Sequence, residues 1–389
     1  MKMRMMTVSL PRFFVPGLLI FLLLFSTGSW LSQIKPLWND EIFTQIHNIE
    51  RKSYTDILRG RLEEANPCPL FYLVQKAVID AAGYRFPGTW DHEWTIHDPS
   101  SQRILRFFPN VMMSLSMVIL LCFFARAFGW PVGMYALGVA LASPMVWAYW
   151  AEARPYALWF FLTIVQSVLF VRAAGPERPS GGTWKGLFLV HALLALSVVF
   201  GVVQAVVGSF LIWYAVDRNW KKWLLPLVVP LGLALYYYPD TAAFKFRLVH
   251  SFSLIAANIP PERLAIFLIY GGLGAWGILK KKRDVDQPLS RAGKYFFLFI
   301  SLMLLLALAM LGIFKVRSAP GLEGFEVSAR YFLFLTPLGI VATTVFSVHF
   351  LQLFKARSWM WLNTLLVLGG LLIIRLLRTV WELIGALLS

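Results

Sequence analysis

The chain has 389 residues, 58% hydrophobic and 14% charged, with a formal net charge of +16. A soluble domain of this length cannot hide so much apolar surface, and several runs of ~20 apolar residues can each cross ~30 Å of hydrocarbon. The apolar residues form solid blocks, which argues against a β-barrel, and the basic residues cluster between those blocks as cytoplasmic loops require, so the charge gives no case for a nucleic-acid partner.

Residues 1–31 have the charge order of a signal peptide. Their apolar run is longer than a cleavable h-region and no small-x-small site follows, so they read as an uncleaved signal anchor. Span one covers 13–31, with Lys2, Arg4 and Arg12 on the cytoplasmic side. A first external loop, 35–103, follows. In it Ile42, Ile46 and Ile49, then Tyr54, Ile57, Leu58 and Leu62, recur at helical spacing beside charged residues, including Glu63 and Glu64. Both stretches predict interfacial amphipathic helices. Residues 66–84 carry an apolar face broken by Gln75, Lys76 and Asp80, and predict a third interfacial or half-inserted helix.

Span two (105–125) ends in Arg126, span three (132–149) returns outside, and span four (156–171) descends to Arg172, Arg178 and Lys185. Spans five and six (186–200 and 201–216) form a hairpin and span seven (222–238) rises again. Span eight (262–279) falls to the basic run 280–284. Spans nine (294–314), ten (331–354) and eleven (358–376) complete the count, with 379–388 as a further partial helix. Eleven spans put the C-terminus outside, where Arg375 and Arg378 have no evident partner. Cys68 and Cys122 are too few for a disulfide framework.

Most of the chemically capable side chains then share the external face: Asp40, Glu41, Asn66, His92, Glu93, Arg103, Arg106, Glu152, Arg154 and Arg330. Ionisable groups at a membrane boundary need partners or water. Asp40 and Glu41 fit a helix start, where acids suit the dipole. They equally fit a general base, or ligands of a divalent metal. Arg154, in the stretch "AEARPYAL", is either a cation reaching for headgroups or a fork for a phosphate, with Glu152 orienting it or meeting an acceptor. Arg103, Arg106 and Arg330 carry the same pair of readings. His92 and His97 have no helical metal-ligand spacing.

The order of these stretches resembles the GT-C glycosyltransferases that use polyprenyl-phosphate sugars. It consists of "NDE" after the first span, "NPCPLFYL", "RILRFFPN", "EARPYAL" and a late "ARYFLFLTP". The nearest groups are protein O-mannosyltransferases, lipid A aminoarabinose transferases and bacterial relatives acting on lipopolysaccharide core. The likeness is best over 13–175, thin over 176–320, and returns at Arg330. Where relatives often read His-Pro-Pro-Leu this chain has Pro67, Cys68, Pro69 and Leu70, so no His contact carries over.

The resemblance implies one integral-membrane domain, 1–389, with a catalytic module over 1–240 and a variable transmembrane module over 241–389. It implies an active site on the extracytoplasmic face, in a bacterial plasma membrane. It implies Asp40 as base or acceptor-orienting group, Glu41 as its neighbour, Glu152, Arg154 and Tyr156 in the second external motif, and Arg330 on the lipid phosphate, with Arg106 as a further phosphate ligand. The partners would be a polyprenyl-phosphate sugar and an envelope lipid, glycan or protein acceptor. No cofactor is required, a divalent metal being an option. The alternative function is a flippase or transporter of lipid-linked sugars, which calls for ionisable residues buried mid-membrane. A third is a non-catalytic membrane subunit.

Overall fold

The computed structural model describes residues 11–64, 66–87, 95–175, 181–237, 246–247, 255, 257–259, 288–317, 325–326, 329–353, 377 and 380–381. Helix α1 (Pro11–Ile34) opens the bundle. Gly17, Leu24, Gly28 and Ser32 face inward at spacings of seven, four and four, one stripe of the helix, while Phe14, Leu18, Leu19, Leu22 and Leu23 point outward and are exposed. An outward apolar face on an otherwise packed helix is what contact with lipid requires.

The loop after α1 is built from short pieces: β1 (Leu37–Trp38), α2 (Asn39–Phe43), a π-helical segment (Thr44–Glu50), α3 (Tyr54–Leu58), α4 (Pro69–Ala81), β2 (Thr95–Ile96) and α5 (Pro99–Leu105). β1 and β2 pair antiparallel, Leu37 opposite Ile96 and Trp38 opposite Thr95, which pins both ends of the loop together. α4, at 13 residues, is ~20 Å long and falls short of the ~30 Å hydrocarbon core.

The rest of the bundle is α6 (Phe107–Phe128), α7 (Trp130–Leu141), α8 (Pro144–Ala148), α9 (Tyr156–Ala173), α10 (Gly181–Ala195), α11 (Val199–Ala215), α12 (Trp220–Trp223), α13 (Val228–Tyr237), β3 (Phe246–Arg247), α14 (Pro288–Arg317), β4 (Phe325–Glu326) and α15 (Leu335–Leu353), with 3-10 turns at Leu225–Leu227 and Ala329–Phe332. Phe13–Ile34, Phe107–Phe128, Tyr156–Ala173 and Tyr295–Gly312 are long and apolar enough to cross a membrane. The chain is therefore an all-α membrane protein. Of these four segments α9 is the most enclosed, packed against α6, α10, α11, α14 and α15. Its polar residues are satisfied inside the bundle. Gln204 of α11 accepts from Trp159 Nε1 at 2.8 Å and donates to Thr163 Oγ1 at 3.1 Å, and Gln166 donates to the Gln204 carbonyl at 3.0 Å.

Several expectations shift. The predicted span three breaks into α7 and α8 because Pro144 holds Ser143 in an extended conformation (φ −92°, ψ 118°). Span seven gives way around Pro226 to the 3-10 turn Leu225–Leu227 between α12 and α13. The first amphipathic stretch does not lie on the surface: Glu41, Ile42, Thr44, Gln45, Ile46, Asn48 and Ile49 are all buried, because its polar residues find partners inside. The second helix stops at Leu58, where Gly60 (φ +71°) turns the chain. Spans eight and eleven, the basic run 280–284, Arg375, Arg378, His92, Glu93 and most of 379–388 lie outside the described residues.

The loop elements gather at one end of the bundle. Leu70 N donates to the Leu196 carbonyl in the α10–α11 turn, Tyr237 OH donates to the Leu58 carbonyl, and β3 pairs with β4. Arg126, Arg172, Lys185, Arg218, Lys221 and Lys222 belong to the opposite end, where Trp184 Nε1 donates to the Lys222 carbonyl at 2.6 Å. Among the described residues every Asp and Glu except Asp217 lies at the loop end.

Gly28 sits where α1 meets α6. A Cβ there would stand 2.1 Å from Asn110 Oδ1 and 2.2 Å from Trp150 Nε1. Small residues let membrane helices approach this closely. Gly28→Ala is expected to lower the melting temperature in detergent, equivalent to about 1–3 kcal/mol of overpacking. Gly312→Ala, where a Cβ meets nothing, is expected to leave it unchanged or raise it by the equivalent of up to about 1 kcal/mol.

Candidate functional site

Glu41 and Arg106 are the innermost pair, both side chains being 0% exposed. Arg106 Nε donates to Glu41 Oε1 at 2.8 Å and its Nη2 to Oε2 at 2.5 Å. The rest of the guanidinium donates to the carbonyls of Ser32, Lys35 and Pro36, the segment where α1 ends. Glu41 Oε1 also accepts from Ala153 N at 2.7 Å. The pair thus ties the end of α1, the start of α6 and the α8–α9 connection to one point. Burying two charges is costly unless every donor and acceptor is used, and here each is.

This corrects two expectations. Arg106 has no N–H left for a phosphate. Glu41 has both oxygens engaged by a cation and an amide, so it does not suit a metal. Among the described residues no group of three His, Cys, Asp or Glu could hold a metal ion.

Asp40, on the same helical turn, faces a more open space, its side chain 27% exposed. Its Oδ2 accepts from Arg330 Nη1 at 2.6 Å and lies 3.7 Å from Arg154 Nη2. Arg154 comes from the connection before α9, and Arg330 from the 3-10 turn before α15. Three charges far apart in sequence therefore meet over one oxygen. Arg330 also stacks over Trp38 at 5.5 Å, and Arg154 over Tyr156 at 5.8 Å. Each guanidinium keeps a buried Nε without a hydrogen-bond partner among the described residues. Two partly used forks side by side make a ready receptor for a phosphate.

Glu64 is the member that sequence reasoning missed. The apolar spacing predicts it among the charged residues of an interfacial amphipathic helix. The turn at Gly60 instead sends it inward, where its side chain is 6% exposed. It accepts from Arg154 Nη1 at 3.0 Å, from the Thr44 hydroxyl and from Tyr72 OH at 2.9 Å. The signal available in the sequence is Gly60 itself, a residue type that accepts the positive φ of a turn.

Glu152 is 3% exposed, and its Oε1 is buried with no partner among the described residues. Burial pushes its pKa up to about 7. Lys35, Arg154 and Arg330 pull it down, while Glu41 pushes it up. Three other candidates stand away from this cluster and make structural contacts. Arg103 donates to Gln33 Oε1, Asn66 donates to the Ser197 carbonyl, and His97 pairs with Gln102. No protein-family model matches the chain, and no curated protein matches it.

Removing one partner of a fully buried pair strands the other charge. Glu41→Gln is expected to destabilise the protein by about 3–5 kcal/mol, read as a lower melting temperature in detergent. The double variant Glu41→Leu/Arg106→Met is expected to melt above Glu41→Gln.

Proposed function

We propose that the chain is an inverting glycosyltransferase of GT-C type. It moves a sugar from a polyprenyl phosphate to a lipid, glycan or protein acceptor at the extracytoplasmic membrane surface, and the eleven-span topology belongs to the same reading. One observation carries it: Asp40, Arg154 and Arg330 converge on a single point although 114 and 290 residues separate Asp40 from the two arginines.

The chemistry fits these groups. A polyprenyl phosphate keeps its tail in the bilayer, so its anomeric carbon lies at the surface. The leaving group is a phosphate, already stable as an anion. It needs positive charge rather than a general acid, and guanidinium forks supply it. Tyr156 and Trp38, under the arginines, hold those forks in place. Asp40 orients both arginines and the incoming acceptor between them. Attack opposite the phosphate inverts the anomeric centre. The buried pieces of the first loop wall the space and keep water from the donor.

The transporter alternative calls for charges inside several spans. Among the described residues, α6 and α9 carry charges only near their cytoplasmic-side ends, at Arg126 and Arg172, and Tyr295–Gly312 carries none.

The test is to incubate purified protein in lipid discs with radiolabelled polyprenyl-phosphate sugars and envelope membrane fractions. Wild type is expected to transfer label and Asp40→Asn to lose it by about 100-fold or more. Equal transfer by both removes Asp40 from the mechanism, and no transfer across a broad donor panel favours the transporter. Orientation has its own test. On a cysteine-free background a membrane-impermeant maleimide should label Arg61→Cys in intact cells and Lys221→Cys only after lysis, both positions being exposed.

A further inference from the structure

Glu152 is the one acid at the site whose chemistry is unclaimed. Asp40 spends its Oδ2 on Arg330 and stands against Arg154, so a proton placed there forfeits the ion pair that orders the phosphate receptor. Glu41 is consumed by Arg106 and Ala153 N, and Glu64 by Arg154, Thr44 and Tyr72. Among the described residues, Glu152 is the one acid of the site with a buried oxygen that has no hydrogen-bond partner. It lies two residues from Arg154, on a connection clamped by Glu41, so its backbone is held rigidly beside the arginines. A buried carboxylate oxygen without a donor costs free energy unless something else fills the position.

Resting on the glycosyltransferase reading, we propose that Glu152, not Asp40, is the general base that takes the proton from the acceptor. The acceptor oxygen bonds to the anomeric carbon as the bond from that carbon to the phosphate oxygen breaks. The electron pair of the broken bond leaves with the phosphate toward Arg154 and Arg330, and the hydroxyl proton passes to Glu152 Oε1. The charged and titratable groups that face Glu152 are Lys35, Glu41, Arg154, Arg330, Tyr149 and Tyr156. Burial lifts the carboxyl to about 7, where a base is poised at neutral pH. The direction of the pH dependence follows. The group is protonated and idle below that value and competent above it, so transfer rises with pH through about 7.

The test is the pH profile of transfer by full-length protein in lipid discs, using whichever panel donor wild type accepts. Wild type is expected to show a rising limb near pH 7. Glu152→Gln, nearly isosteric, should lower kcat by about 100-fold or more, leave KM for the donor nearly unchanged and abolish the limb. Glu152→Asp should keep the limb at a reduced rate. Binding of polyprenyl phosphate alone should be the same in wild type and Glu152→Gln, which separates proton transfer from a merely structural role. A Glu152→Gln rate within about threefold of wild type, or a limb that survives in it, overturns the assignment while leaving the glycosyltransferase intact. Failure of wild type to transfer from any donor overturns both.

Discussion

The buried contact between Glu41 and Arg106 organises everything around it. A guanidinium with every N–H committed is a rigid object. This one commits three of its contacts to the carbonyls of Ser32, in the last turn of α1, and of Lys35 and Pro36 just beyond it. Carbonyls at a helix C-terminus lack intrahelical donors, so the arginine supplies what the backbone cannot. The opposite side of the same carboxylate holds Ala153 N. One ion pair therefore sets the position of the turn carrying Asp40 and of the connection carrying Glu152 and Arg154. The groups around Asp40 are thereby ordered from outside, and among the described residues Arg154 and Arg330 keep unused hydrogen-bonding capacity.

Adjacent acids in sequence have opposite fates for a simple geometric reason. In a helical turn, neighbouring side chains point about 100° apart. Glu41 is turned into the bundle and Asp40 toward the opening. The first is a structural anchor in a dry place. The second meets cations that, among the described residues, retain an unpartnered Nε. The same division runs through the arginines: Arg106 is saturated, whereas Arg154 and Arg330 are partly used. Saturation, more than residue type or position outside the spans, separates scaffold from site.

That distinction marks what could be read from residues alone. The long apolar runs that became α1, α6, α9 and the core of α14 were legible because length and composition suffice for them. So was the proximity of Asp40, Arg154 and Arg330, through the order of motifs. The fate of Arg106 was not legible, because its sequence neighbourhood looks like that of any arginine at a span start. What exhausts it lies 65 residues away in Glu41. Glu64 was misplaced for a related reason. Periodicity extended a helix through Gly60, and a positive φ there reverses the chain. Prolines at 144 and 226 broke two apolar runs that composition alone makes continuous. Apolar patterning reports which face a residue takes, whereas pairing across 65 or 90 residues is a property of the assembled bundle.

The inward stripe of α1 bears on how the molecule assembles. Synthesis delivers α1 to the bilayer well before α6, so its glycines and Ser32 at first face lipid with nothing to fill them. Asn110, which locks onto the Phe25 carbonyl and Ser29, arrives later. Until then the loop beyond α1 must wait in water with its carboxylate hydrated, since no cation is yet present to receive it. The knot at Gly28 and the dry ion pair above it thus both need the start of α6, which supplies Asn110 and Arg106. The arrangement around Asp40 therefore comes into being only once the second long helix has brought Arg106 to Glu41.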